Sequence, residues 1–271
     1  MPDFLPWLVI GSAITLIGIA KSGFGGGLGL IVVPMTTLAL PLIVKSDGTR
    51  YSGDDALGLL LPLLMVGDVI AVSQYYKLAN WKLIGRMMPP AVLGILLGTW
   101  LIHILKTRHQ IAADLINIEI GFESLLLVGM TWYRQWKGAQ QKLMPEPWRT
   151  VTTCTFAGAS STLAHAAGPI IAMYLLPLNL GRQAWVATSA TFFFFANIAK
   201  VPTYWQAGMF EKISPSWSLM FFPLVLAGAI FGKWLCKKMS DKLFAQAVYV
   251  TVFGLGGYLL ISGTTSLLRH Y

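Results

Sequence analysis

Charge is scarce in this chain. Asp, Glu, Lys and Arg make up 11% of its 271 residues, where a soluble domain carries about a quarter. With 55% hydrophobic residues and a mean hydropathy of +0.65, that shortage excludes a water-soluble globule. No stretch reads as a soluble domain, and the longest polar connection runs over about 134–149. Cysteine is nearly absent. Cys154 and Cys236 stand far apart, one in an apolar segment and one in a basic loop, so a disulfide framework is excluded and both read as unpaired thiols. The four histidines are scattered, which leaves no metal-ligand cluster; neither a metal nor a cofactor is expected. No Walker sequence occurs, so ATP does not drive this chain by itself. Acidic residues number 11 against 20 basic ones, a net charge of +9. The cations sit in loops, where the positive-inside bias accounts for them without a nucleic-acid partner. The first residues, Met1-Pro-Asp-Phe, lack the basic region of a cleaved signal, and the first apolar segment is read as retained.

Long apolar runs are what the chain does have. Several segments of about 20 apolar residues, the length that spans a bilayer, predict an all-α polytopic membrane protein. The first run, Phe4 to Val44, is too long for one span. Its middle reads Lys21-Ser-Gly-Phe-Gly-Gly-Gly-Leu-Gly, and Pro34 follows. Glycine-rich backbone and a lysine at that depth are tolerated only against protein or a water-filled cavity. A half-helix starting near Leu28 is expected to aim its positive end at an anion there. Spans follow at about 56–76, 87–105 and 113–133. A second interrupted run, Val151 to Leu180, centres on Phe156-Ala-Gly-Ala-Ser-Ser-Thr-Leu-Ala-His-Ala-Ala-Gly-Pro169. Spans at about 184–204, 217–235 and 243–266 complete the chain.

A broken run plus three spans therefore occurs twice. Gly94, Gly98 and Trp100 match Gly228, Gly232 and Trp234, and Gly67-Asp68 stands opposite Ala196-Asn197. The expectation is two membrane repeats, 1–135 and 150–271, joined by a cytoplasmic linker at 136–149. Each repeat holds a broken or re-entrant helix pair plus three transmembrane helices. With both termini outside, the cytoplasmic loops carry eleven Lys and Arg and the opposite side six, which favours that orientation. An odd number of crossings per half then makes the repeats inverted, a design of secondary transporters whose sites lie at the repeat interface.

Lys21 is the sharpest candidate, with Ser22 and the backbone N–H groups of Gly25, Gly26 and Gly27 around an anion; the competing reading is a lysine snorkelling from a helix end. His165, Gly168 and Pro169 are the matching feature of the second half, with Ser160, Ser161 and Thr162 as further hydroxyl donors. Asp68 lies mid-span and is expected either to balance Lys21 or to exchange a proton. Asn197 and Lys200 share a helical face, although Lys200 reads equally as a snorkelling cation. Glu119 and Glu123, one turn apart, are proton-relay candidates or carboxylates of an intramembrane hydrolase. Tryptophans and tyrosines near span ends read as interfacial anchors.

These residues resemble the sulfite exporter TauE/SafE family, also known as 4-toluene sulfonate uptake permeases. The resemblance covers nearly the whole chain. It rests on the Lys21 to Pro34 stretch, on His165-Ala-Ala-Gly-Pro169 with Tyr174, and on Asn197-Ile-Ala-Lys200 followed by Tyr204 and Gly208. Ala167 stands where the family's second motif usually has glycine, which tightens the expected pocket. The resemblance implies a multi-pass permease of the bacterial inner membrane for sulfite, organosulfonates or related oxoanions. Its partners would be the anion, the lipid bilayer and protons as coupling ion. An intramembrane phosphatase or hydrolase and a passive anion channel are the rival classes. The first would want an arginine clamp on phosphate, and no arginine lies well inside an apolar segment.

Overall fold

The computed structural model describes residues 4–26, 32–44, 48, 50–51, 55–104, 147–206, 208–210, 213 and 218–269, with isolated positions between 118 and 133. Among them there is no strand; one isolated bridge joins Val44 and Arg50. The helices are α1 (Phe4–Phe24), α2 (Val32–Ala39), α3 (Asp55–Tyr75), α4 (Trp81–Ile104), α5 (Pro147–Ala164), α6 (Ala167–Leu175), α7 (Arg182–Gln206), α8 (Phe222–Lys238) and α9 (Asp241–Arg269). Helices α1, α3, α4, α7 and α9 are long and apolar enough to cross a membrane. The protein is an all-α, multi-pass membrane protein.

Several boundaries differ from expectation. Helix α4 starts at Trp81 rather than near 87 and runs through Pro89 and Pro90, which a membrane helix accommodates when neighbours re-satisfy the freed backbone groups. Helix α8 covers Phe222–Lys238 rather than 217–235, because Pro223 in its first turn opens the helix without wasting a donor. Cys236 consequently lies inside α8 and is buried, not in a loop. Helix α5 begins at Pro147, within the linker expected at 136–149. The span expected at 113–133, and with it Glu119 and Glu123, lies largely outside the described residues.

Two close helix pairs hold the first half to the second, and glycines mark both. In the α4–α5 contact, a Cβ at Gly94 would overlap the carbonyl oxygen of Thr155, and one at Gly98 would lie 3.0 Å from that of Ala159. A Cβ at Gly158 would overlap the Ala91 carbonyl. In the α1–α8 contact, Gly228 stands against the Thr15 carbonyl, Gly232 against Ile19, and Gly18 against Val225. The register is constant: Thr15, Gly18 and Ile19 correspond to Thr155, Gly158 and Ala159, as Ala91, Gly94 and Gly98 do to Val225, Gly228 and Gly232. Small residues let the backbones approach, which is how helices associate where lipid removes the hydrophobic drive. The outward faces of α4 and α8 present Leu93, Leu97, Trp100, Ile230, Phe231 and Trp234, an apolar surface suited to lipid.

The helix breaks correspond too. Beyond α1 the chain turns at Gly25 (φ +53°), and beyond α5 at His165 (φ +51°). The next N–H reaches back in each case, Gly26 to the Ala20 carbonyl at 2.8 Å and Ala166 to the Ser160 carbonyl at 3.5 Å. Each short helix then runs into a 3-10 turn of the same composition, Leu40-Pro41-Leu42 after α2 and Leu176-Pro177-Leu178 after α6.

Candidate functional site

The two breaks face one cavity. Lys21 and Gly26 from the first, Ser161, His165 and Gly168 from the second, and Phe193 and Asn197 of α7 line it. Val32, Val33, Leu60 and Leu64 complete the wall. It is small, about 30 Å³, where an ordered water needs roughly 10–15 Å³ on the same scale; a group of a few heavy atoms fits. Val32 and Val33 of α2 and Gly168 in the first turn of α6 border it, and the α6 N-terminus brings unpaired N–H groups and positive partial charge to it.

The cavity's first cation is already paired. Lys21 is 4% exposed, and its Nζ lies 2.6 Å from Oδ1 of Asp68 on α3. The other carboxylate oxygen, Oδ2, accepts from Nδ2 of Asn197 at 2.5 Å. Two chain features make room for the lysine. Gly67, one residue before the aspartate, lies alongside its stem, where a Cβ would come within 3.2 Å of Cγ. The Phe193 ring lies 4.5 Å from Nζ, a cation–π distance. Snorkelling is therefore not what this lysine does.

Lys200 is fully buried. Helix α7 continues through Pro202 to Gln206, so the side chain points inward instead of escaping at a helix end. Its Nζ donates to the Ser161 carbonyl at 3.2 Å, to Ser161 Oγ at 3.0 Å and to His165 Nδ1 at 3.1 Å. An ammonium only donates, so Nδ1 accepts and the ring hydrogen sits on Nε2, which is 3.5 Å from the Leu57 carbonyl oxygen. Tyr204 closes this side: its hydroxyl donates to the Thr162 carbonyl at 2.8 Å, and its ring centroid is 5.8 Å from that of His165. Among the described residues, no carboxylate lies within ion-pair distance of Lys200.

The correspondence of the halves assigns these residues differently from the sequence expectation. His165 stands opposite Gly25, while the position opposite Lys21 is Ser161. The second buried lysine, Lys200, comes from α7, the span on which the sequence placed it with Asn197. A non-glycine residue in the left-handed region costs roughly 1–2 kcal/mol. Such an outlier at a cavity is a pointer to function.

Of the other expected site residues, Gly25 is outside the lining: its carbonyl accepts from Ser189 Oγ at 2.5 Å, and a Cβ would meet Ser189 and Trp185 at 2.8 Å. Ser22 and Pro169 are buried outside the lining, and the Ser22 hydroxyl has no partner among the described residues. Gly27, Glu119 and Glu123 lie outside the described residues. Phe193, Leu60 and Leu64 went unanticipated, since an apolar residue in an apolar run carries no sign that it lines a cavity.

No curated protein and no solved structure matches this chain. A family model does, that of the sulfite exporter TauE/SafE family, over residues 10–259. The matched stretch takes in both helix breaks, the cavity, and the paired glycine contacts that set the halves together. The chain belongs to the sulfite exporter TauE/SafE family of membrane transporters.

Proposed function

We propose that the protein is a secondary transporter of a small sulfur oxoanion or organosulfonate, sulfite being the first substrate to test, and that the anion binds in the cavity between the two helix breaks. One observation carries the reading: a fully buried lysine without a carboxylate partner among the described residues, Lys200, which lies behind the cavity wall and bonds two of its lining residues, Ser161 and His165. A buried cation left uncompensated is costly, and an anion in the cavity would remove that cost. Gly168 N–H and the α6 N-terminus would add hydrogen bonds and a positive dipole end. Lys21 would serve through its pair with Asp68, a group that can take up a proton when the anion arrives. The two halves, packed in matching registers through α1–α8 and α4–α5, support inverted repeats that rock against each other and open the cavity to either side in turn. The orientation with both termini outside rests on the loop charge bias, and placement in a bacterial inner membrane on the family.

The experiment is uptake of labelled sulfite into proteoliposomes. Wild type should show flux that saturates and responds to a proton gradient, and Lys200→Met should lose it. Normal flux in Lys200→Met overturns the site assignment; flux indifferent to any gradient makes the protein a passive channel.

A further inference from the structure

The buried charges around the cavity do not cancel. Lys21 and Asp68 form one pair at 2.6 Å. His165 accepts from the Lys200 ammonium through Nδ1 and is neutral in that arrangement. Among the described residues Lys200 is left over, so with its ammonium protonated the empty site holds one net positive charge. Lys21 of α1 and Asn197 of α7 touch Asp68, and Lys200 of α7 is the next charged group to act on it. Helix α2 has no ionisable residue, and α8 brings none to Asp68.

We propose that the site selects anions by charge: a monoanion binds without any proton, and a dianion binds only together with one proton taken up at Asp68. This rests on the reading of the cavity as the anion site. A monoanion in the cavity, separated from Lys200 by Ser161 and His165, brings the described buried total to zero. A dianion would leave one negative charge uncompensated in an interior where such a charge is costly. A proton from bulk water converts the Asp68 carboxylate to the acid. Lys21 then becomes a second free cation, and two positive charges meet two negative ones. The carboxyl group keeps its place, because Oδ2 can still accept from Asn197 while the other oxygen carries the proton. Asp68 thus sets how many protons travel with each substrate, and the number depends on the substrate's charge.

The test is isothermal titration of the full protein in nanodiscs with methanesulfonate, a fixed monoanion, and thiosulfate, a fixed dianion. Bis-tris and imidazole serve as buffers, because sulfonate buffers would compete. Methanesulfonate should bind with no proton uptake and an affinity that is flat with pH. Thiosulfate should bind with one proton, and its affinity should fall about tenfold per pH unit wherever Asp68 of the free protein is ionised. In Asp68→Asn, which keeps the shape, thiosulfate should bind without a proton. Equal proton uptake for both probes, or methanesulfonate binding with none for thiosulfate at any pH, overturns the charge rule and leaves the anion site standing. Binding of neither probe removes the anion site itself, and the charge rule with it.

Discussion

His165 combines an unfavourable backbone with a ring bonded at both nitrogens. Its φ of +51° suits glycine, which stands at the corresponding turn of the first half, while its imidazole bonds Lys200 and the Leu57 carbonyl. Comparing His165→Gly with His165→Ala isolates the backbone contribution, since both remove the ring. The glycine variant should be more stable by roughly 1 kcal/mol, read as a higher melting temperature in detergent, and both should lose anion binding. The Lys21–Asp68 pair allows a second separation. Removing one partner of a buried pair costs about 3–5 kcal/mol, whereas replacing both costs far less. Lys21→Met should therefore melt well below wild type, and Lys21→Met combined with Asp68→Asn should recover most of the loss. The deficit of the single variant should also shrink as pH falls, because protonated Asp68 needs no counter-charge. These charges were legible in the sequence, as each interrupts an apolar run. Their pairing was not. Asp68 was a candidate partner for Lys21, but that Lys200 would reach Ser161, rather than Ser160 or Thr162, depends on where α5 ends.

At the level of elements, the glycine contacts are copies of each other. Gly18 on α1 and Gly158 on α5 each meet a carbonyl of the opposing helix in the same register. Gly18→Leu and Gly158→Leu should both destabilise, by 1–3 kcal/mol or more since overpacking forces backbones apart, and by similar amounts. Gly85→Leu, where a Cβ would meet nothing within 4 Å, should not lower the melting temperature, since it also removes a glycine from a helix interior. The Gly94–Gly228 half of this pattern could be read from spacing alone, because tryptophans follow both glycine pairs. The Gly18–Gly158 half was present in the letters but hidden: a lone glycine among apolar residues has no distinctive neighbour. The Leu-Pro-Leu turns were likewise present twice and become informative only when both are seen to end a half-helix. The expected spans over 87–105 and 217–235 already contained Pro89, Pro90 and Pro223; what differs is where the helices begin, at Trp81 for α4 and at Phe222 for α8.

For the molecule as a whole, the loop charges predict both termini outside. Alkaline phosphatase fused after residue 269 should be active and the same enzyme inserted near residue 140 inactive; the reverse pattern would invert the orientation. The glycine contacts also bear on how the chain is assembled. The face of α1 around Gly18 is completed by α8, which begins at Phe222. At 5–20 residues per second that partner emerges on the order of 10–40 s later. For that interval α1 waits in the membrane with its closest backbone contact unmade. A ribosome stalled before α8 would release a chain whose first helix has Asp68 of α3 for its lysine but not the partner for its closest backbone contact.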